Sequence, residues 1–131
     1  MNQAVELVKR VNLALESKDI KTYRSLLHAN YKFKGPMMEL SDPDEAAAVM
    51  EACPFTYTNQ NAVYVSEGEK VVVISDWVVT APVKFSIHMS EFLTVTEGKI
   101  LASELFFDTA KFPPEAMEIL ASMEKTSCHA V

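Results

Sequence analysis

The spacing of apolar residues changes period once, near residue 55, and that change leaves few architectures open. Before it, Ala4, Leu7, Val8, Val11, Ala14 and Leu15 fall on one helical stripe. Glu16-Ser17-Lys18-Asp19 interrupts the stripe, and Asp19 is a suitable cap for a second helix carrying Ile20, Tyr23, Leu26 and Leu27. A short strand over residues 30–34 stops at Gly35-Pro36. The run Ser41-Asp42-Pro43-Asp44-Glu45 then supplies a cap, a first-turn proline and acids where the helix dipole favours them. That third helix reaches about Ala52 and ends before Pro54. Beyond it the period is two, with strands expected near 56–66, 70–80, 83–96 and 99–107. Pro113-Pro114 opens a last amphipathic helix bearing Met117, Leu120 and Met123. Helices followed by hairpin-linked strands predict an α+β fold: three N-terminal helices on one face of an antiparallel sheet, plus a short C-terminal helix. One domain over residues 1–125 is expected, with a frayed tail at 126–131.

Charge and cysteine content narrow the function. Twelve basic and eighteen acidic residues give a net charge of −6, and no run of Lys or Arg occurs. Neither nucleic acid nor an anionic membrane is therefore an expected partner. The N-terminal stretch reads as an amphipathic helix and not as a signal peptide, and no apolar run approaches membrane-spanning length. Cys53 and Cys128 are far apart without a CxxC spacing. Reduced thiols in a cytoplasmic protein are the expectation, with a disulfide left open. His28, His88 and His129 share no metal-ligand spacing, so no metal site is expected. No glycine-rich phosphate loop or nucleophile elbow points to a cofactor.

Residues 83–95 hold the one unusual pattern. Val83, Phe85, Ile87, Met89, Leu93 and Val95 alternate along it, and Glu91 stands in the same series. A strand therefore places this carboxylate on an apolar face. A three-residue hairpin loop, Thr96 to Gly98, would pair Glu91 with Ser103 and bring Leu101, Leu105 and Phe107 to that face. A two-residue loop would put Glu104 in the place of Ser103, with a poorer apolar face. A tight turn at Ala81-Pro82 would set Asp76 opposite Ile87 and Ile74 opposite Met89, on the same face as Glu91. Asp76 and Glu91 then lie roughly 13 Å apart, too far to share a proton. Trp77, Phe92, Phe106 and His88 fall on the other face, where an apolar patch suits a homodimer interface. His88 is expected near Glu104 and Asp108, and His28 at the end of the second helix.

A carboxylate on such a face has two readings. It is satisfied by Ser103, by the backbone or by water at an edge, or it belongs to a pocket as a proton donor or ligand acceptor. On the second reading Glu91 and Asp76 are the catalytic candidates. Tyr31, Phe33, Ile74, Phe85, Ile87, Met89, Ser103, Leu105 and Phe107 are the candidate ligand-binding residues. Met37 and Met38 are expected to pack in the core, with a pocket mouth as the alternative.

The helix pair broken by ESKDI, the strand KFKGP, the acid-capped third helix and the hairpin EFLTVTEGKILASELFFD resemble the nuclear transport factor 2-like superfamily. The likeness is to its ketosteroid isomerase and SnoaL-like polyketide cyclase branch and spans about residues 4–112. It implies a cone-shaped curved sheet, an apolar pocket between sheet and helices, and a homodimer formed through the outer sheet face. It places Asp76 and Glu91 on the pocket wall. The ketosteroid isomerase base position falls on Gly35 and the catalytic tyrosine on Val11, while the protonated oxyanion-hole acid falls on Glu91. The resemblance therefore implies binding of a small, largely apolar molecule. Cofactor-free isomerisation, dehydration or cyclisation by proton transfer goes with it, without the standard ketosteroid isomerase constellation. The rival is a binding or dimerisation module with a vestigial pocket.

Overall fold

A computed structural model describes residues 2–127. Helix α1 (Gln3–Glu16) starts on Asn2, whose side chain accepts from the Ala4 and Val5 amides. Its stripe of Ala4, Leu7, Val8, Val11 and Ala14 is buried. Lys18, at φ 62°, turns the chain into α2 (Ile20–Ser25), capped by Asp19 as expected. Helix α3 (Pro43–Glu51) begins on Asp42, which accepts from the Glu45 amide at 2.8 Å. Glu45 in return accepts from the Ser41 amide at 2.7 Å. This is a reciprocal cap made from the residues that predict it.

The strands are β1 (Leu27–Lys34), β2 (Glu39–Leu40), β3 (Thr56–Glu67), β4 (Lys70–Ala81), β5 (Phe85–Thr96) and β6 (Lys99–Phe106). They form one sheet in the order β2-β1-β6-β5-β4-β3. All neighbours are antiparallel except β1 and β6, so the sheet is mixed rather than purely antiparallel. Strand β1 begins earlier than expected, at Leu27. His28 therefore sits in a strand and not at a helix end, and its Nε2 meets Glu97 Oε1 at 3.0 Å. A 3-10 turn and Pro113 lead into α4 (Pro114–Ser127). That helix contains residues 126 and 127 of the expected tail; residues 128–131, with Cys128 and His129, lie outside the described residues.

Two registers differ from expectation. The β5–β6 loop has two residues, Glu97 and Gly98, with φ 54° and 74°. A bulge follows, because Val95 pairs with Ile100 but Thr94 with Ala102, leaving Leu101 over. Ile100, not Leu101, thus continues the inner face. Loop and bulge together preserve the alternation, so Ser103 and Leu105 share Glu91's face. Their partners are displaced: Leu93 lies opposite Ser103 and Glu91 opposite Leu105.

Between β4 and β5 the connection is Pro82-Val83-Lys84 instead of a two-residue turn, and the pairing slips by one. A one-residue slip turns every side chain over. Val73 is now opposite Glu91, Ser75 opposite Met89 and Trp77 opposite Ile87. Val71, Val73, Ser75, Trp77 and Val79 face inward, while Val72, Ile74, Asp76 and Val78 face outward.

Two apolar clusters occupy the inner side. One joins the helices to Tyr23, Tyr31, Val71, Val73, Leu93, Val95 and Ile100. The other is aromatic, with Phe55, Trp77, Phe85 and Phe112 in mutual contact at centroid distances of 5.4 to 6.4 Å. Ala116, Ile119 and Leu120 of α4 close over this second cluster. Glu91 stands on the strand between them, with Leu93 in the first and Met89 beside the second.

Candidate functional site

Glu91 is held by β5 on the inner face, between Val73 of β4 and Leu105 of β6. Burial is the cause of its shift: the carboxyl group is pushed up from an ordinary 4.5 to about 7. Among the described residues no donor pairs with it. Every enclosed side-chain polar atom nevertheless has a partner. Glu91 as a residue keeps partial exposure. Its carboxyl oxygens are therefore not fully sealed from the surface. A carboxylate in that position is half ionised near neutral pH.

Three tyrosines enter the same electrostatic neighbourhood: Tyr23 from α2, Tyr31 from β1 and Tyr57 from β3. Burial raises all three phenols, Tyr31 to about 12 and the others further, and the Glu91 charge adds to each rise. They stay protonated at any physiological pH. Ser103 and Tyr23 are the polar neighbours of the Tyr31 hydroxyl. Sequence reading missed Tyr23 and Tyr57. Tyr23 lay on a helical stripe that reads as core, and only the third dimension brings its hydroxyl toward β5. Tyr57 could have been found, because it alternates in phase with Asn59 and opposite the polar Thr56 and Thr58.

The expected ligand-binding residues divide. Tyr31, Ile87 and Ser103 are buried inward; Phe33, Phe85, Met89, Leu105 and Phe107 are half-buried. Phe33 and Ser103 pair directly across β1 and β6. Phe85 belongs to the aromatic cluster and pairs with Val79, six residues of strand from the Val73–Glu91 pair.

Asp76 and Ile74 are not with them. The β4 slip carries both to the outer face, where Ile74 is 37% exposed. Asp76 instead accepts from Asn61 Nδ2 at 2.9 Å, and its Oδ1 meets His88 Nδ1 at 2.7 Å. Asn61 and then His88 hold its carboxyl below the ordinary range. His88 thus pairs with Asp76, not with Glu104 or Asp108. Trp77 replaces Asp76 on the inner side, stacked near Phe112. Met37 and Met38 are exposed and do not pack in the core.

A cleft of about 410 Å³ lies along β1, β2, β6 and β5, lined by Lys32, Phe33, Glu39, Phe92, Ser103 and Glu104 among others. A smaller one of about 210 Å³ lies at Gly35-Pro36 and Phe106. Neither includes Glu91. No group of three or more His, Cys, Asp or Glu among the described residues is placed to hold a metal. No helix among them is long and apolar enough to cross a membrane.

A family model described as the SnoaL-like domain matches residues 8–103. The chain belongs to the SnoaL-like domain family. Solved structures share its nuclear transport factor 2-like fold. One is a nuclear transport factor 2-like protein of unknown function from Cytophaga hutchinsonii. It is 23% identical with a TM-score of 0.73, over 84% of this chain and 94% of that one. A candidate polyketide cyclase from Pseudomonas putida is 16% identical with a TM-score of 0.74, over 86% and 96%. An epoxide hydrolase of M. tuberculosis, similar to LEH, is 14% identical with a TM-score of 0.77, over 95% and 97%. At these identities the likeness is one of fold. No curated protein matches the chain significantly.

Proposed function

We propose that this SnoaL-like protein binds a small, largely apolar organic molecule on the inner side of its sheet and exchanges a proton with it through Glu91. The observation that carries this reading is the half-buried Glu91 carboxyl group on the apolar inner face, without a donor and pushed up to about 7 by burial. The apolar body of the ligand would lie along Ile87, Met89, Leu105 and Phe33, with Tyr31 and Ser103 as hydrogen-bonding accessories. An acid–base group of this kind suits isomerisation, dehydration or cyclisation without a cofactor, and the named relatives include a candidate cyclase and an epoxide hydrolase.

A binding module is the second reading, and the placement of Asp76 favours it. With Asp76 outside, the inner face has one titrating carboxylate, while Val11 and Gly35 supply none. A thermal-shift screen with apolar carbonyl compounds and fatty acids tests both readings. Stabilisation that disappears in Glu91→Gln supports a Glu91 site; turnover of a stabilising compound selects the enzyme. A screen in which no compound stabilises the wild type removes both.

The same proposal includes a homodimer through the outer face, in a cytoplasmic setting where Cys53 stays a free thiol. Val63 and Val65 are 55% and 57% exposed, and Phe106 is 49% exposed. Together with Ile74 and Phe92 they make an apolar patch that a second copy would cover. Lys32 and Lys34 stand at the β1 end of this face and Asp76 toward the β3 end. A two-fold pairing would bring unlike charges together.

A further inference from the structure

We propose that the cleft along β1, β2, β6 and β5 binds a small zwitterion of the α-amino acid kind, its carboxylate between Lys32 and Lys34 and its ammonium on Glu104. This site is apart from Glu91 and stands or falls independently of the function proposed above.

The pairing of the strands builds the site. Residues paired across neighbouring strands share a face of the sheet, and so do residues two apart on one strand. Glu39, Lys34, Glu104 and Phe92 form one row, through the pairs Lys34–Glu39, Lys34–Glu104 and Phe92–Glu104. Lys32, Ala102 and Thr94 form the next row along the strands. Both rows line the cleft, whose volume of about 410 Å³ suits a small molecule. Ala102 ends at one methyl between longer side chains, so it makes the floor. Phe92 is a half-buried apolar wall for the body of the ligand. It also borders the patch toward β3 that the homodimer reading gives to a second copy.

The charges of the cleft are left unmatched. Among the described residues ion pairs join Lys9 to Glu6, Arg24 to Asp44, His28 to Glu97 and His88 to Asp76. None involves Lys32, Lys34, Glu39 or Glu104, although Lys34 stands between two glutamates in its row. Two cations and two anions therefore line one cavity without meeting each other.

The spacing fits a ligand that carries both signs. Lys32 and Lys34 are two residues apart on β1, about 6.6 Å, and Glu104 is one strand away, about 4.8 Å. An α-amino acid holds its charges one carbon apart, so a carboxylate bridging the lysines leaves the ammonium within reach of Glu104. Glu104 is half-buried and Glu39 exposed, so solvent screens Glu104 less. A ligand with a single charge meets two like charges here as well as two unlike ones. An anion also approaches against the net charge of −6, which a zwitterion does not feel.

Three probes with one body separate the classes: L-phenylalanine, hydrocinnamate and phenethylamine. Saturation-transfer NMR at neutral pH ranks them, and dilute protein keeps the face clear of a second copy. L-phenylalanine is expected to bind most tightly, by about fivefold over either analogue, the scale of one exposed ion pair. Lys32→Met with Lys34→Met should weaken L-phenylalanine about tenfold and tighten phenethylamine, which loses two repelling charges. Glu104→Gln should weaken L-phenylalanine about fivefold and tighten hydrocinnamate. A cleft that had merely lost its shape would weaken all three probes together, so the opposed changes report charge recognition and not damage. Either analogue binding as tightly as L-phenylalanine overturns the inference. So does binding that the variants leave unchanged or weaken for all three probes alike, and so does a failure of L-phenylalanine to bind the wild type.

Discussion

Replacing Glu91 by Gln should make the protein more stable at high pH and change little at low pH. Glutamine keeps the shape of the side chain and cannot ionise. The folded carboxyl titrates at about 7 against an ordinary 4.5 in the unfolded chain. Between those values the folded state holds a proton that the unfolded state has released. Stability therefore falls as pH rises through the window, and the loss is complete above the folded value. The full shift corresponds to about 3 kcal/mol at 1.36 kcal/mol per unit. Between pH 5 and pH 8 the two-state expression gives roughly 2.5 kcal/mol. Urea denaturation of both proteins at those two pH values measures it. Other titrating groups are common to both proteins and cancel in the difference. The advantage of Glu91→Gln over the wild type should grow by that amount, which is roughly 10 °C in Tm for a chain of this size. A growth below about 1 kcal/mol, within the error of extrapolation, would mean that Glu91 is solvated or paired. The acid–base reading of the site would then fall.

The hairpin loop makes both Glu97 and Gly98 left-handed, so Gly98→Val should cost about 1–2 kcal/mol in thermal melts. Glu97→Gly should be neutral or stabilising by a few tenths, after losing an exposed contact with His28. Asp42→Ala removes the α3 cap and should destabilise by about 1 kcal/mol in urea titration. Sedimentation is expected to show a dimer at tens of micromolar (the scale of weak association). Val65→Lys with Phe106→Lys should convert it to monomer with circular dichroism unchanged. A wild type that sediments only as monomer would refute that interface.

The helices were legible because their signals are local. Asp19 and Asp42 act within four residues of themselves, and the α1 stripe needs only its own period. The pairing of β1 with β6 was not legible. It is parallel and joins residues some seventy positions apart, with no turn chemistry to announce it. Ser103 and Leu105 fall on the expected face through two compensating errors, a loop one residue shorter than expected and a bulge at Leu101 that restored the alternation, while Ile100 takes the place expected of Leu101. No such compensation operated at β4. Val71 to Val73 and Val78 to Val79 are β-branched on both faces, so hydrophobicity alone sets no register there. Trp77 beside Asp76 carried the missing signal. Burying the indole and leaving the carboxylate outside is the cheaper choice, and the structure makes it.

That slip also decides why Glu91 is alone. Several cations on neighbouring elements are engaged elsewhere: Arg24 with Asp44 at 2.7 Å, Lys99 with the Ser25 carbonyl at 2.7 Å, Lys18 with Phe55 and Tyr57. Lys9 lies near Glu6 and over the Tyr64 ring. Asp76, which would have added a second acid inside, is tied to Asn61 and His88 on the far side. Glu91 can thus be neutralised by a proton or by whatever enters beside it. The two compete for one carboxylate, so an ammonium ligand must release the proton of Glu91 when it binds below pH 7, and a neutral ligand must retain it. Measuring proton uptake or release on binding, in buffers of different ionisation enthalpy, therefore reports the ligand's class without any knowledge of the reaction.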